Sequence, residues 1–198
     1  MKRKLAVVLL ICISCHMGWA AQDFVWKSGQ NMKVVCDTTE APIVKVALDL
    51  LKRDCRSVLS GNISRSENTG NIYVGTWGES SVLQALAETR QLDVALLNEH
   101  KEAFLLNVLP DGRLIVAGSD KRGTAYGVLE LSRMMGVSPW EWWADAVPET
   151  KEELRLPAGF RKLDYPQVAY RGIFINDEDW GLTPWSWKHY EPSERKGR

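Results

Sequence analysis

At 198 residues, with 45% of them hydrophobic and 25% charged, the chain carries enough apolar matter for one domain and a fraction of another, which excludes an intrinsically disordered protein. Its 25 Lys and Arg balance its 25 Asp and Glu, so no basic field draws it to nucleic acid. The nine tryptophans are a high number, and flat indole rings serve either as core filling or as platforms for the apolar faces of sugars.

The chain opens on a targeting segment. Lys2, Arg3 and Lys4 form a positive start, Leu5 to Ile13 an apolar run, and Gly18, Ala20 and Ala21 the small residues a signal peptidase selects. Residues 1–21 are therefore expected to leave as a signal peptide, and the mature chain to be secreted or periplasmic. The apolar run is too short to span a bilayer comfortably, and no other segment approaches the needed length, so no membrane span is expected. Ile13-Ser14-Cys15 partly matches a lipoprotein cleavage box, but Cys12 stands where a leucine is usual. Loss of the signal leaves Cys36 and Cys55, read as two buried thiols: one at a strand end, the other on the apolar face of a helix. With His100 and His189 they offer too few ligands at suitable spacing for a metal, and no cofactor is expected.

Beyond the signal the elements follow in a legible order. Lys33 to Cys36 is a short apolar strand, and Thr38, Thr39 and Pro42 announce a helix. In that helix Ile43, Val46, Ala47, Leu50, Leu51, Cys55, Val58 and Leu59 recur at helical spacing, with Lys45, Asp49, Lys52 and Arg53 on the wet side. Gly61 and Asn62 end it. A second strand covers Asn71 to Gly75 and a second helix Ser81 to Thr89. A hairpin then joins Phe104–Leu109 to Arg113–Ala117 through Pro110, Asp111 and Gly112. A third helix runs from about Gly123 to Met135 and stops at Gly136. Helix crossovers favour parallel neighbours while a hairpin is antiparallel, so this order predicts an α/β domain with a mixed sheet over residues 22–160.

Two segments of this domain invite a chemical reading. Gly118-Ser119-Asp120-Lys121-Arg122-Gly123-Thr124 leads from a strand into a helix N-terminus, where an anion can bind, but neither the Walker pattern nor the dinucleotide fingerprint is present. A helix cap at Ser119 or Asp120, with glycines for a tight turn and close packing, is the simpler account. In the second segment, Gly136-Val137-Ser138-Pro139-Trp140-Glu141-Trp142-Trp143-Ala144-Asp145, the tryptophans are expected to pack one domain on the next.

The last segment carries most of the chemistry. Val168 to Ile175 has the β-branched and aromatic content of a buried strand, and it runs into Asn176, Asp177, Glu178 and Asp179, followed by Trp180 and Trp185. In a parallel α/β barrel, Ile173 and Ile175 would point inward, Phe174 outward, and alternation would bring Asp177 inward at the barrel mouth, where such barrels hold their catalytic groups. The competing reading is a solvated turn or a helix N-terminal cap.

The words Gly-Ser-Asp and Arg-Gly-Thr at 118–124, Gly-Val-Ser-Pro-Trp and Trp-Trp-Ala-Asp at 136–145, and Arg-Gly-Ile-Phe-Ile-Asn-Asp-Glu-Asp-Trp-Gly at 171–181 resemble signatures of glycoside hydrolase families 67 and 115, the last run resembling family 115 most. That resemblance implies an α/β architecture in which an N-terminal mixed-sheet domain is followed, over residues 161–198, by the first strand of a truncated (β/α)8 barrel. It also implies a xylan alpha-1,2-glucuronidase that removes glucuronic acid or its 4-O-methyl form from glucuronoxylan by inversion, with Asp177 as the first candidate catalytic carboxylate. Asn176, Glu178, Asp179, Trp180 and Trp185 become candidate substrate contacts. An inverting pair of carboxyls stands roughly 6.5–9.5 Å apart on opposite sides of the sugar, so this stretch supplies at most one of the two. A piece without the later strands is expected to be inactive alone. A non-catalytic carbohydrate-binding or scaffold module is the alternative, against which stands the exposed strand edge it would leave.

Overall fold

The computed structural model describes residues 20–175 and 182–189. They fall into two compact units, up to Tyr165 and from Pro166. The first unit holds β1 (Phe24–Lys27), β2 (Asn31–Cys36), α1 (Pro42–Leu59), β3 (Asn62–Ser66), β4 (Ile72–Thr76), α2 (Ser81–Glu88), α3 (Ala95–Glu99), β5 (Phe104–Val108), β6 (Leu114–Gly118), α4 (Lys121–Met135), α5 (Glu141–Ala144), β7 (Glu153–Leu156) and β8 (Arg161–Asp164). The second unit contributes α6 (Leu182–His189).

A six-stranded sheet in the order β3-β2-β4-β6-β5-β8 forms the centre. β3, β2, β4 and β6 are parallel, while β5 runs antiparallel to both β6 and β8. The mixed sheet and the hairpin thus form as the sequence pattern predicts, with Gly112 at φ +80° in the turn. Both faces of the sheet are covered, because alternate residues of each inner strand enter different cores. Val34, Ile72, Val74, Leu114 and Val116 join α1 and α4 on one face, and Val35, Tyr73, Ile115 and Ala117 join the α2–α3 side on the other. Such two-sided burial is why these strands read as unbroken apolar runs.

Helix starts follow local chemistry. Proline at N1 sets φ for α1 without any side-chain cap. Ser80 caps α2 and Asp120 caps α4. Gly136 at φ +99° ends α4 in the left-handed conformation. The phase of α1 differs from expectation: Ile43 and Val46 are 41% and 57% exposed, and Val44 is buried with Ala47, Leu51, Cys55 and Val58. Two apolar stripes lie side by side on this helix, and packing against the sheet and α4 covers the one through Val44.

Four strands carry little sequence signal. β3 and β8 are the sheet edges, and their sequences Asn-Ile-Ser-Arg-Ser and Arg-Lys-Leu-Asp have the polar character that suits an edge. β1 and β7 pair antiparallel, with Phe24 opposite Leu156 and Trp26 opposite Leu154, and put all four side chains into the core. Because β8 completes the sheet, residues 161–165 belong with the first unit, although the sequence reading placed the domain end at 160.

β8 is also tied down through its side chains. Lys162 Nζ donates to Glu130 Oε1 at 2.7 Å, and Arg133 donates to both Glu130 oxygens at 2.6 and 2.7 Å. Burial would raise the Glu130 pKa, but these two cations outweigh it and hold the carboxyl below its usual 4.5. A lowered folded-state pKa contributes stability above the unfolded value and loses it as pH falls through the folded one. Glu130→Gln is therefore expected to unfold about 1 kcal/mol more easily at pH 7, a figure kept low because the cations are partly exposed. The deficit should shrink below about pH 4.5. Urea titrations at pH 7 and pH 3.5 check this, and a deficit that stays constant with pH would show that Glu130 contributes by packing alone.

Candidate functional site

Ligands of open α/β sheets usually bind beyond the carboxyl ends of the strands, at the point where the strand order reverses. Here that edge is formed by the ends of β2, β4 and β6, at Cys36, Thr76 and Gly118. The chain's own carboxylates take up many of the hydrogen-bond donors along it. Asp37 accepts from Ser80 Oγ (2.9 Å), Ser81 N–H (2.9 Å) and Ser81 Oγ (3.0 Å) at the start of α2. The buried Glu40 accepts from the backbone N–H of Thr76 (2.6 Å) and from its hydroxyl (3.0 Å), which lies 2.8 Å from Thr124 Oγ1. Asp120 accepts from the N–H groups of Arg122 and Gly123 (2.9 Å each) and of Glu102 (2.8 Å).

These bonds decide between the two readings of the Gly118–Thr124 segment. The N–H groups that would cradle a phosphate at α4 are spent on Asp120, so the segment is a capped, tightly packed strand-to-helix turn. A Cβ on Gly118 would be driven into the backbone nitrogen of Thr124, and one on Gly123 into the carbonyl oxygen of Ala103.

Cys36 and Cys55 are free and buried. Burial pushes their thiols up to about 12 and about 11 respectively, reinforced at Cys36 by the Glu40 carboxylate. Neither is a thiolate near neutrality. In native protein Cys36 and Cys55 are expected to leave a thiol reagent almost unconsumed at pH 8, and in denatured protein both to react without prior reduction; fast native labelling of either would contradict this burial.

Asn176, Asp177, Glu178, Asp179 and Trp180 lie outside the described residues. Trp185 lies on α6 and is half-buried. The buried strand expected over Val168–Ile175 is corrected: residues 170–175 form no ladder with any described residue. Tyr170, Ile173 and Phe174 are 96%, 82% and 90% exposed. β-Branched and aromatic content marks a segment suited to a sheet, but a strand exists only where neighbours take up its N–H and C=O groups. Trp140 is exposed on the first unit, while Trp26 is wholly buried with its Nε1–H directed to the Gln30 carbonyl at 3.3 Å, so single tryptophans serve different ends.

Two clefts of the first unit were not legible in the sequence. One, of about 410 Å³, borders α1 and α4, and its charges pair among themselves: Arg53 with Asp54 (2.7 Å) and Glu141 (2.8 Å), and Arg133 with Glu130 (2.6 Å). The other, of about 630 Å³, lies at the carboxyl ends of β4 and β6 and is lined by Trp77, Gly78, Asn98, Glu99, His100 and Lys101 among others. Trp77 Nε1–H donates to Asn98 Oδ1 at 2.9 Å, and the His100 ring stacks on Tyr165 with centroids 3.6 Å apart and planes 6° from parallel. Among the described residues no group of three His, Cys, Asp or Glu side chains converges as a metal site would require, and no helix is long and apolar enough to cross a membrane.

Comparison with known proteins points in one direction. The sequence profile of Glycosyl hydrolase family 115 matches residues 163–197. The chain is similar, at 57% identity and a TM-score of 0.79 over 88% of its length, to BtGH115A, a family GH115 4-O-methyl-alpha-glucuronidase described as having specificity for decorated arabinogalactans. It spans 22% of that enzyme's length. Weaker likeness links it to CpGH84D (TM-score 0.49, 16% identity, 73% of this chain and 22% of that one). A mutant Streptomyces plicatus beta-hexosaminidase in complex with GlcNAc scores 0.46, at 16% identity over 76% of this chain and 25% of that one. No curated protein sequence matches the chain.

Proposed function

Since the chain belongs to glycosyl hydrolase family 115, we propose that it is the N-terminal part of a secreted glycoside hydrolase that removes alpha-1,2-linked glucuronic acid or 4-O-methylglucuronic acid side groups from a plant polysaccharide, with inversion. The observation that carries this reading is the 57% identity to a 4-O-methyl-alpha-glucuronidase over 88% of the chain. The acid-rich run Asn176-Asp177-Glu178-Asp179 supplies one carboxyl of the inverting pair, and Asp177 is the assigned member. Its partner, and the cation that would hold the glucuronate carboxylate, come from parts of the protein outside this chain. Trp180 and Trp185 wall the sugar pocket. Export rests on the segment Lys2 to Ala21, and mass spectrometry of the mature N-terminus tests it: a start near Gln22 supports export by cleavage, a lipid on Cys15 replaces it by membrane anchoring.

Two backbones compete as substrate. Glucuronoxylan is the family-level expectation; decorated arabinogalactan is favoured by what is said of the relative at 57% identity. Release of (4-O-methyl)glucuronic acid by the full-length protein, measured separately on each polysaccharide, decides between them, and release from neither overturns the glucuronidase reading. The 198-residue chain alone is expected to release nothing. Turnover by it would mean that a complete acid pair lies within these residues.

A further inference from the structure

The cleft at the carboxyl ends of β4 and β6 contains none of the residues assigned to the reaction above, yet its lining is that of a sugar site. Its volume of about 630 Å³ is that of a small-ligand pocket. Trp77, half-buried, packs against the α2–α3 core cluster and also lines the cleft. The bond from its Nε1–H to Asn98 Oδ1 (2.9 Å) fixes the ring and leaves both amide protons of Asn98 to donate elsewhere. Lys101 and Glu99 stand exposed beside it, and neither forms an ion pair with any described residue. The backbone is open at Gly78, where a Cβ would meet nothing within 4 Å.

The same groups argue against an anion. Asp120, at the rim, occupies the N–H groups at the head of α4, so a phosphate finds no free helix donor there, and the Glu99 carboxylate repels one. A half-buried indole beside an amide donor, an ammonium and a carboxylate instead suits a ring with an apolar face and a rim of hydroxyls.

We propose that this cleft, built on Trp77, Asn98, Glu99 and Lys101, binds a neutral sugar unit of the polysaccharide and so holds the chain on the enzyme. The inference rests on the polysaccharide substrate proposed above.

Its test uses the full-length protein and arabinogalactan or xylan from which the uronic acids have been removed, so that binding does not depend on the scissile group. Retardation is read in native gels containing the polysaccharide. Wild type is expected to be retarded by one of the two, and Trp77→Ala, Asn98→Ala and Lys101→Ala to weaken apparent binding by about three- to tenfold each, the scale of one stacked ring or one charged hydrogen bond. Asn98 and Lys101 are exposed, so their variants carry the test even where loss of Trp77 disturbs folding. A wild type that is not retarded by either polysaccharide, or retardation that Asn98→Ala and Lys101→Ala both retain, overturns the proposal. Glucuronic acid release from short oligosaccharides is measured on the same preparations: release without retardation sinks the cleft alone, whereas retardation that the variants lose, without release, sinks the glucuronidase reading and leaves the cleft standing.

Discussion

In the full-length protein, Asp177→Ala is expected to lower kcat on a glucuronic acid-decorated oligosaccharide by about 10²–10⁴-fold, the range of a missing general acid or base. The physical case starts from position. Asp177 follows Ile173-Phe174-Ile175, and on the proposed family reading, in which this segment joins a parallel barrel that the described residues do not form, it would stand at the carboxyl end of a strand, where catalytic groups of that architecture converge. Hydrolysis with inversion needs one carboxyl to protonate the leaving oxygen and another to activate water across the sugar. Two neighbouring residues do not span that separation, so on the proposed reading this stretch supplies at most one acid of the pair, and its neighbours would bind hydroxyls. Glu178→Gln and Asp179→Asn are expected to raise KM more than they lower kcat. Near-normal kinetics for Asp177→Ala would assign the acidic run to a solvated turn, and a collapse of kcat at Asp179 would move the role two residues along.

The second large effect concerns stability. Gly123→Ala is expected to destabilise the first unit by about 3 kcal/mol, at the upper end of overpacking costs. Glycine is a poor helix former, so alanine in a helix would ordinarily gain up to about 1 kcal/mol. Here the added methyl would be driven into the Ala103 carbonyl oxygen, with the carbonyl carbon of Glu102 at 3.0 Å. That oxygen already accepts from the Ser119 N–H at 2.9 Å, and the Ala103 N–H donates to Ser119 Oγ at 2.9 Å, so the backbone is held from both sides and cannot swing away. Gly172→Ala provides the contrast, because no described residue lies within 4 Å of its Cβ position. Urea unfolding of the three proteins measures both effects. A Gly123→Ala midpoint equal to wild type would mean that the junction between β5 and α4 yields more easily than its hydrogen bonds indicate.

The inner strands legible in the sequence share one property: their side chains are buried on both faces of the sheet. Val34, Val35 and Cys36 are all buried because β2 is covered on both faces, and Leu114 to Ala117 repeat that pattern in β6. The Asp120 cap and the Gly136 stop are local devices, written within a few residues of the helix ends they control. β3 and β8 escape notice because an edge strand buries little and gains its stability from a partner far along the chain. Val168–Ile175 fails in the opposite sense, since its composition is that of a strand while its residues stand exposed and form no ladder with any described residue.

The candidate sites divide along the same line. Asp177 and its neighbours stand out as candidates in the sequence because their chemistry is contiguous, three carboxylates in a row after an apolar segment. Trp77, Asn98 and Lys101 do not, because no spacing rule links a strand end at 77 to a helix and loop at 98–101; the fold of β4, α3 and β6 brings them to one cleft. Composition, strand runs and capping residues therefore settled the class of the first unit as a mixed α/β sheet with helices, since these depend on contacts a few residues apart. Which stripe of α1 is buried, which N–H groups Asp37, Glu40 and Asp120 occupy, and why Gly123 admits no side chain depend on contacts between elements tens of residues apart, and those distances exist only once the chain has packed.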